Sequence, residues 1–241
     1  MIHEELAGDW HVHSTFSDDA ESSIDENLAA AAAAGLRVIR LTEHVRVDTA
    51  WVGDFVAAAR AAARPDGLEV RTGVEAKILD ASGALDIPRD LVIGPGGVDG
   101  IVIADHRFPG PDGAWSPERT QRELADGLSV GDAMDLLVTA TIRAMERAGG
   151  GAQLAHPFSI LPKIGCTEAH LTDEHLSAWA AAARATGTTI EVNEKWGCPS
   201  PRAVRAALEA GAGIVASTDS HRADGVGRYR LVVDILDAAR A

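Results

Sequence analysis

Thiols are scarce in this chain: its 241 residues include two cysteines, Cys166 and Cys198, 32 positions apart and with no CxxC pair. That excludes a disulfide framework and a cysteine zinc site, and both residues read as reduced thiols. Long apolar runs are also missing. No stretch approaches eighteen uninterrupted apolar residues, and the opening MIHEELAGDW carries no basic segment followed by a hydrophobic one, so a cytoplasmic protein with no membrane association is expected. Basic residues are outnumbered, 22 against 36 acidic ones, for a formal charge of −14. Such a surface repels a polyanion, which argues against nucleic-acid binding while leaving room for a local positive spot. Aromatics reach only 4%, but hydrophobic residues total 46%, enough for the core of one large domain.

The chain alternates β-rich runs with Ala/Leu/Arg-rich stretches of helical character, separated by Gly, Pro and Asp. Strands are predicted at 8–13, 38–43, 68–76, 98–105, 152–156, 188–193 and 213–218. Helices are predicted near 24–34, 51–64, 129–148, 172–186, 200–210 and 228–240. Ser22 or Ser23 and Thr172 are candidate N-caps, with Gly35 and Gly187 as helix stops. Strands separated by helices imply parallel pairing with right-handed crossovers, hence a closed or nearly closed α/β barrel in a single domain, residues 1–241. Two regions interrupt the alternation: 77–91, read as a hairpin insertion around Ser82-Gly83, and 107–128, a long polar connection with its own short helix, read as a lid loop.

Histidine is what the chain does have. Six of its nine histidines stand at the ends of predicted strands: His11 and His13 in "DWHVHSTFSDDA", His44 in "LTEHV", His106 in "IADHR", His156 in "LAHPF" and His221 in "STDSH". Glu75 in "TGVEAK" and Asp219 join them, and either Asp18 or Asp19 follows the first pair. In a parallel α/β barrel these ends converge on one mouth. His11 and His13, two apart on an extended strand, share a face about 6 to 7 Å apart along the chain and can share an ion. Imidazoles and carboxylates without thiolates suit Zn, Mn or Fe. Nine candidate ligands exceed what one ion takes, so two or three ions are expected. With the histidines committed to metal, Ser217 and Ser220 have no free base to activate them, and "DGVG" at 224–227 reads as a turn.

The motifs "HVHSTFSDD", "LTEHV", "GVEAKIL", "ADH", "AHP" and "STDSH" resemble, in order along nearly the whole chain, the PHP (polymerase and histidinol phosphatase) family of metal-dependent phosphoesterases. The resemblance implies a distorted (β/α)7 barrel with a trinuclear site. It places one metal on His11, His13, Asp219 and a bridging Glu75, a second on His106, His156 and Glu75, and a third on His44, His221 and Asp19. It also implies a phosphatase that hydrolyses a small phosphorylated metabolite by attack of a metal-bridging hydroxide, with Glu75, Asp219 and His221 at the reacting centre. The alternatives are a phosphodiesterase or exonuclease acting on nucleic-acid ends or cyclic phosphates, and a metal-binding module without turnover. Histidinol-phosphate phosphatases of this family carry an arginine about five residues after the "HP" histidine and another after the strand-six "E-x-N". Here Leu161 stands at the first place, with Lys163 two further on, and "EVNEKWG" at the second. Candidates to hold the substrate phosphate around the mouth are therefore Lys195, Lys163, Arg107, Arg222 and Arg46.

Overall fold

The computed structural model describes residues 3–241. Seven parallel strands carry the architecture, in the order β1 (Gly8–Val12), β2 (Val38–His44), β3 (Glu69–Lys77), β4 (Gly100–Ala104), β7 (Gln153–Leu154), β8 (Thr189–Asn193) and β9 (Ile214–Ser217). A hairpin, β5 (Phe108–Gly110) with β6 (Gly113–Trp115), forms a separate two-stranded sheet. The first and last strands meet: Val12 bridges Ser220 in parallel, the His13 amide donates to the Ser220 carbonyl at 2.8 Å, and buried Asp9 accepts hydrogen bonds from the Thr218 amide and hydroxyl. The result is a distorted (β/α)7 barrel.

The helices are α1 (Ile24–Ala33), α2 (Val52–Ala61), α3 (Pro117–Ala125), α4 (Val130–Ala148), α5 (Asp173–Thr186), α6 (Pro201–Glu209) and α7 (Leu231–Arg240). Their starts follow the local chemistry. Ser23 caps α1 in a capping box with Glu26, Thr172 caps α5, and Ser116 caps α3 with Pro117 in its first turn. Gly187 ends α5 in the left-handed region, where a glycine has no Cβ to clash. Outward-facing strand residues such as Ile39, Leu41, Val74, Ile103, Leu154 and Ile190 pack beneath Leu28, Phe55, Leu137 and Trp179 to form the main core. No helix among the described residues is long and apolar enough to cross a membrane.

The barrel interior is polar instead. Apart from a small group of Val102, Ala104 and Ala155, it holds Arg40, Gln153, Glu191 and Asn193, all buried. Arg40 Nη1 donates to Gln153 Oε1 at 3.0 Å, and its guanidinium lies over the Trp10 ring. Gly73 makes space for it, since a Cβ there would come within 3.1 Å of Arg40 Cδ.

Strand 152–156 is shorter than the sequence pattern suggests. Pairing covers Gln153–Leu154, and the chain then turns so that His156 takes φ 27°. Residues 77–86 fold back on themselves, with Ile78 bridging Leu85 antiparallel and the Asp86 amide bonded to the Lys77 carbonyl. The 107–128 connection consists of the β5–β6 hairpin and α3. Phe108 and Trp115 are buried and stacked on each other, and Gln121 of α3 donates to the Lys163 carbonyl at 2.9 Å.

Candidate metal centre

Glu75 lies at the middle of the mouth. It points inward from β3, is 2% exposed, and four strands aim imidazoles at it. Its Oε1 is 3.0 Å from His106 Nε2 and 3.0 Å from His156 Nε2. Its Oε2 is 2.7 Å from His44 Nδ1, 3.5 Å from His11 Nε2 and 3.6 Å from His13 Nε2. Asp219 Oδ1 faces His13 Nε2 at 3.3 Å and His11 Nε2 at 3.9 Å. Asp19 Oδ2 stands 3.5 Å from His44 Nε2 and 3.3 Å from His221 Nε2. Both paired aspartates line the cleft, but it is Asp19 that reaches these rings.

Ligand atoms therefore fall into overlapping sets in which every pair lies within 4.8 Å: His11, His13 and Glu75; His44, Glu75 and His106; His13, His44 and His221. The spacing suits cations shared between donors. One atom bears on this: Glu75 Oε2 is fully buried, faces three imidazole nitrogens at 2.7 to 3.6 Å, and accepts a well-aligned hydrogen bond from none of them. A buried carboxylate oxygen ringed by imidazoles that do not hydrogen-bond it squarely is well served by a cation placed among them.

The far nitrogens of three rings are already occupied. Ser17 Oγ donates to Glu43, so it accepts from His13 Nδ1 at 3.1 Å. Ser159 Oγ donates to Asp105, so it accepts from His156 Nδ1 at 3.0 Å. His11 Nδ1 donates to Glu191 Oε2 at 3.0 Å. Each contact holds the proton on Nδ1 and leaves Nε2 facing the cluster, the arrangement that metal-ligating histidines need.

Charge is distributed accordingly. Burial raises the Glu75 carboxyl, but the surrounding His106 and His11 imidazoles overcome it and hold it well below the usual range. Asp219 is likewise held low against its burial, mainly by its contact with His13. Burial, aided by the neighbouring His11 and His44, pushes His13 down to about 3, so that ring is neutral. His156 rises to about 10 despite burial, through Asp105 and Glu75, and Glu191 and Glu75 drive His11 well above its normal value. In the metal-free chain, protons on His11 and His156 stand where the carboxylates call for positive charge.

Two of these side chains rest on uncommon backbone: His156 at φ 27° and Asp219 at φ 52°. A left-handed non-glycine residue costs of order 1–3 kcal/mol and persists only where surroundings enforce it, commonly at functional sites.

Above the cluster opens a cleft of about 310 Å³ lined by Asp18, Asp19, His44, Arg46, Glu75, Lys77, His106, Lys195, Trp196, Asp219 and His221 among others. Lys195 Nζ lies 3.3 Å from Asp219 Oδ2, and Trp196 Nε1 donates to the same oxygen at 2.9 Å. Lys163 Nζ sits over the Trp196 ring, 4.1 Å from its centroid. Of the expected phosphate-binding cations only Lys195 and Arg46 line this cleft: Lys163 stands behind it on Trp196, Arg107 is exposed outside it, and Arg222 turns outward to ion pairs with Glu21 and Asp224. For Arg107 and Arg222 the reason is the backbone itself, because neighbouring residues project in different directions and only His106 and His221 of those pairs face inward.

Sequence reasoning missed Glu191, Lys77 and the hydroxyls of Ser17 and Ser159. Glu191 is completely buried, and four donors converge on it: His11 Nδ1 and Gln153 Nε2 on one oxygen, the His156 amide and Asn193 Nδ2 on the other. A signal for Lys77 was present in the period of two, which places it on the face of Glu75.

A seven-stranded parallel barrel with six histidines and three carboxylates gathered at its strand ends defines a metal-binding α/β barrel. The chain belongs to the PHP domain family, whose model matches residues 9–194. Among solved structures, histidinol phosphate phosphatase from Lactococcus lactis, complexed with zinc, L-histidinol and phosphate, superposes with a TM-score of 0.61. It is 16% identical, over 97% of this chain and 92% of that one. A Bifidobacterium adolescentis protein described as a metal-dependent phosphoesterase gives 0.39 at 16% identity, over 96% of each chain. Triazine hydrolase from Arthrobacter aurescens gives 0.39 at 16% identity, over 85% of this chain and 49% of that one. No curated protein matches the chain.

Proposed function

We propose that the protein is a metal-dependent phosphomonoesterase acting on a small phosphorylated metabolite. The observation that carries this reading is the convergence of imidazoles on Glu75, whose buried Oε2 accepts no well-aligned hydrogen bond, beneath a cleft sized for a small molecule. Membership of the PHP domain family supports it, as does zinc and phosphate binding in the Lactococcus protein that shares the barrel.

His11, His13 and Asp219 would hold one divalent ion with Glu75. His106 and His156 would hold a second, sharing Glu75, and His44, His221 and Asp19 a third. Ions bound there supply Lewis acidity toward the phosphoryl oxygens and acidify a coordinated water. The chain's own groups do the rest. Ser17, Ser159 and Glu191 fix the ring tautomers, Trp196 orients Asp219, and Lys195 adds a cation at the rim for a phosphate oxygen. The centre draws anions through an acidic exterior because its local charge, once loaded, is positive.

The test is phosphate release from a panel of monoesters and diesters by the chain loaded with Mn, Zn or Fe. Turnover of monoesters, lost in His13→Ala and Glu75→Ala, is the expected result. Turnover confined to diesters would transfer the assignment to a phosphodiesterase, and full metal occupancy without turnover of any ester would leave a binding module.

A further inference from the structure

Two cations besides Lys195 line the cleft. Lys195 lies on the wall of Asp219 and His221. Lys77 and Arg46 belong to β3 and to the turn after β2, each two residues beyond a cluster residue, Glu75 and His44, and both line the cleft.

Asp86 organises this side. It is 8% exposed, and its two oxygens serve both cations' supports: Oδ2 lies 3.3 Å from Lys77 Nζ, and Oδ1 accepts the Val47 amide, next to Arg46, at 2.8 Å. The turn is braced again by the Arg46 amide donating to Thr49 Oγ1 at 2.8 Å. Lys77 is thereby fixed at the cleft wall with its ammonium partly open, its side chain 27% exposed. Arg46 has no carboxylate within ion-pair distance among the described residues, although the chain is strongly acidic. Asp86 thus holds the Lys77 ammonium, while the Arg46 guanidinium stands on a braced turn with no carboxylate of its own; a cation held at the wall loses little freedom on binding an anion, and an unpaired one beside it adds charge.

We infer that Lys77 and Arg46 form a subsite for a second anionic group, carried on the alcohol part of the phosphomonoester. This rests on the phosphomonoesterase reading and narrows it: the phosphoryl group sits on the metal cluster beside Lys195, and a carboxylate reaches Lys77 and Arg46. Lys77 and Arg46 are specificity-determining residues in this scheme and do not touch the reacting atoms.

Paired monoesters that differ by a carboxylate decide the matter: 3-phosphoglycerate against glycerol 3-phosphate, phosphoserine against phosphoethanolamine, and carboxyphenyl phosphate against phenyl phosphate. With the metal-loaded full chain, the carboxylate-bearing member of at least one pair is expected to show the higher kcat/KM, on the order of tenfold, through KM. Lys77→Met and Arg46→Gln are expected to erase that preference, and Arg46→Glu to invert it. Arg46 is exposed, so its variants fold even where Lys77→Met does not. Equal kcat/KM within every wild-type pair, or a preference that survives in the Arg46 variants, would overturn the subsite while leaving a phosphomonoesterase. No phosphate from any member would remove the phosphomonoesterase reading and the subsite together.

Discussion

Replacing Glu191 by glutamine isolates what a buried carboxylate contributes to a metal site it does not itself enter. The carboxylate accepts four hydrogen bonds, from His11 Nδ1, Gln153 Nε2, the His156 amide and Asn193 Nδ2. Glutamine offers one acceptor oxygen. Whichever way its amide turns, an NH₂ faces two donors, and Asn193 cannot flip to help because its Oδ1 already accepts the Trp196 amide at 2.9 Å. An orphaned buried donor costs about 1–3 kcal/mol, so the fold should lose about 2–6 kcal/mol, less whatever relaxation recovers. If the amide oxygen turns away from His11, nothing keeps that ring's proton on Nδ1. Loss of such a supporting contact lowers metal affinity about 10- to 100-fold, equivalent to about 1.4–2.7 kcal/mol. Competition with a chromogenic zinc chelator reads the affinity, and circular dichroism on the same samples verifies that the variant is folded. A folded Glu191→Gln protein that keeps wild-type zinc affinity with its amide NH₂, not its oxygen, against His11 in a crystal structure would refute the tautomer argument.

Three other outcomes are expected. Asp19→Ala should lower the bound metal per folded chain, measured by elemental analysis, whereas Asp18→Ala should not, because only Asp19 reaches His44 and His221. Gly83→Ala should lower the melting temperature without changing metal content, since Gly83 sits at φ +73° and a Cβ there would lie 2.5 Å from the Ala144 backbone nitrogen in α4. The loss should be about 1–3 kcal/mol. Metal uptake should expel protons at neutral pH, because His156, at about 10, and His11, also raised, are protonated in the metal-free chain and must be neutral to ligate. Affinity therefore rises with pH, and calorimetry in buffers of different ionisation enthalpy counts the protons; none released would contradict these charges.

The readable part of the site was readable for a geometric reason. A parallel barrel brings every strand's C-terminal end to one mouth, so a histidine after each apolar run can be assigned without knowing a distance, and all six do meet around Glu75 and its neighbours. Arg107 and Arg222 show where nearness in sequence misleads. Each adjoins a cluster histidine, but adjacent residues project differently, and both leave the cleft. Lys77, two residues from Glu75, could have been picked out by the same alternation that paired His11 with His13.

By itself the sequence determined the repeating strand and helix, the helix caps, and the identity of the residues at the mouth, because each of these depends on local period or chain order. The partners of those residues depend on closure. Glu191 lies 180 positions from His11 and Asp86 lies 39 from Val47, and in the linear chain Glu191 is an alternating residue of an ordinary strand. Only when β1 meets β9 and the barrel shuts does that carboxylate come beneath His11, buried, with four donors aimed at it. The tertiary structure thus decided which nitrogen of each ring faces the centre and which cations face the cleft, since both follow from contacts between strands far apart in the chain.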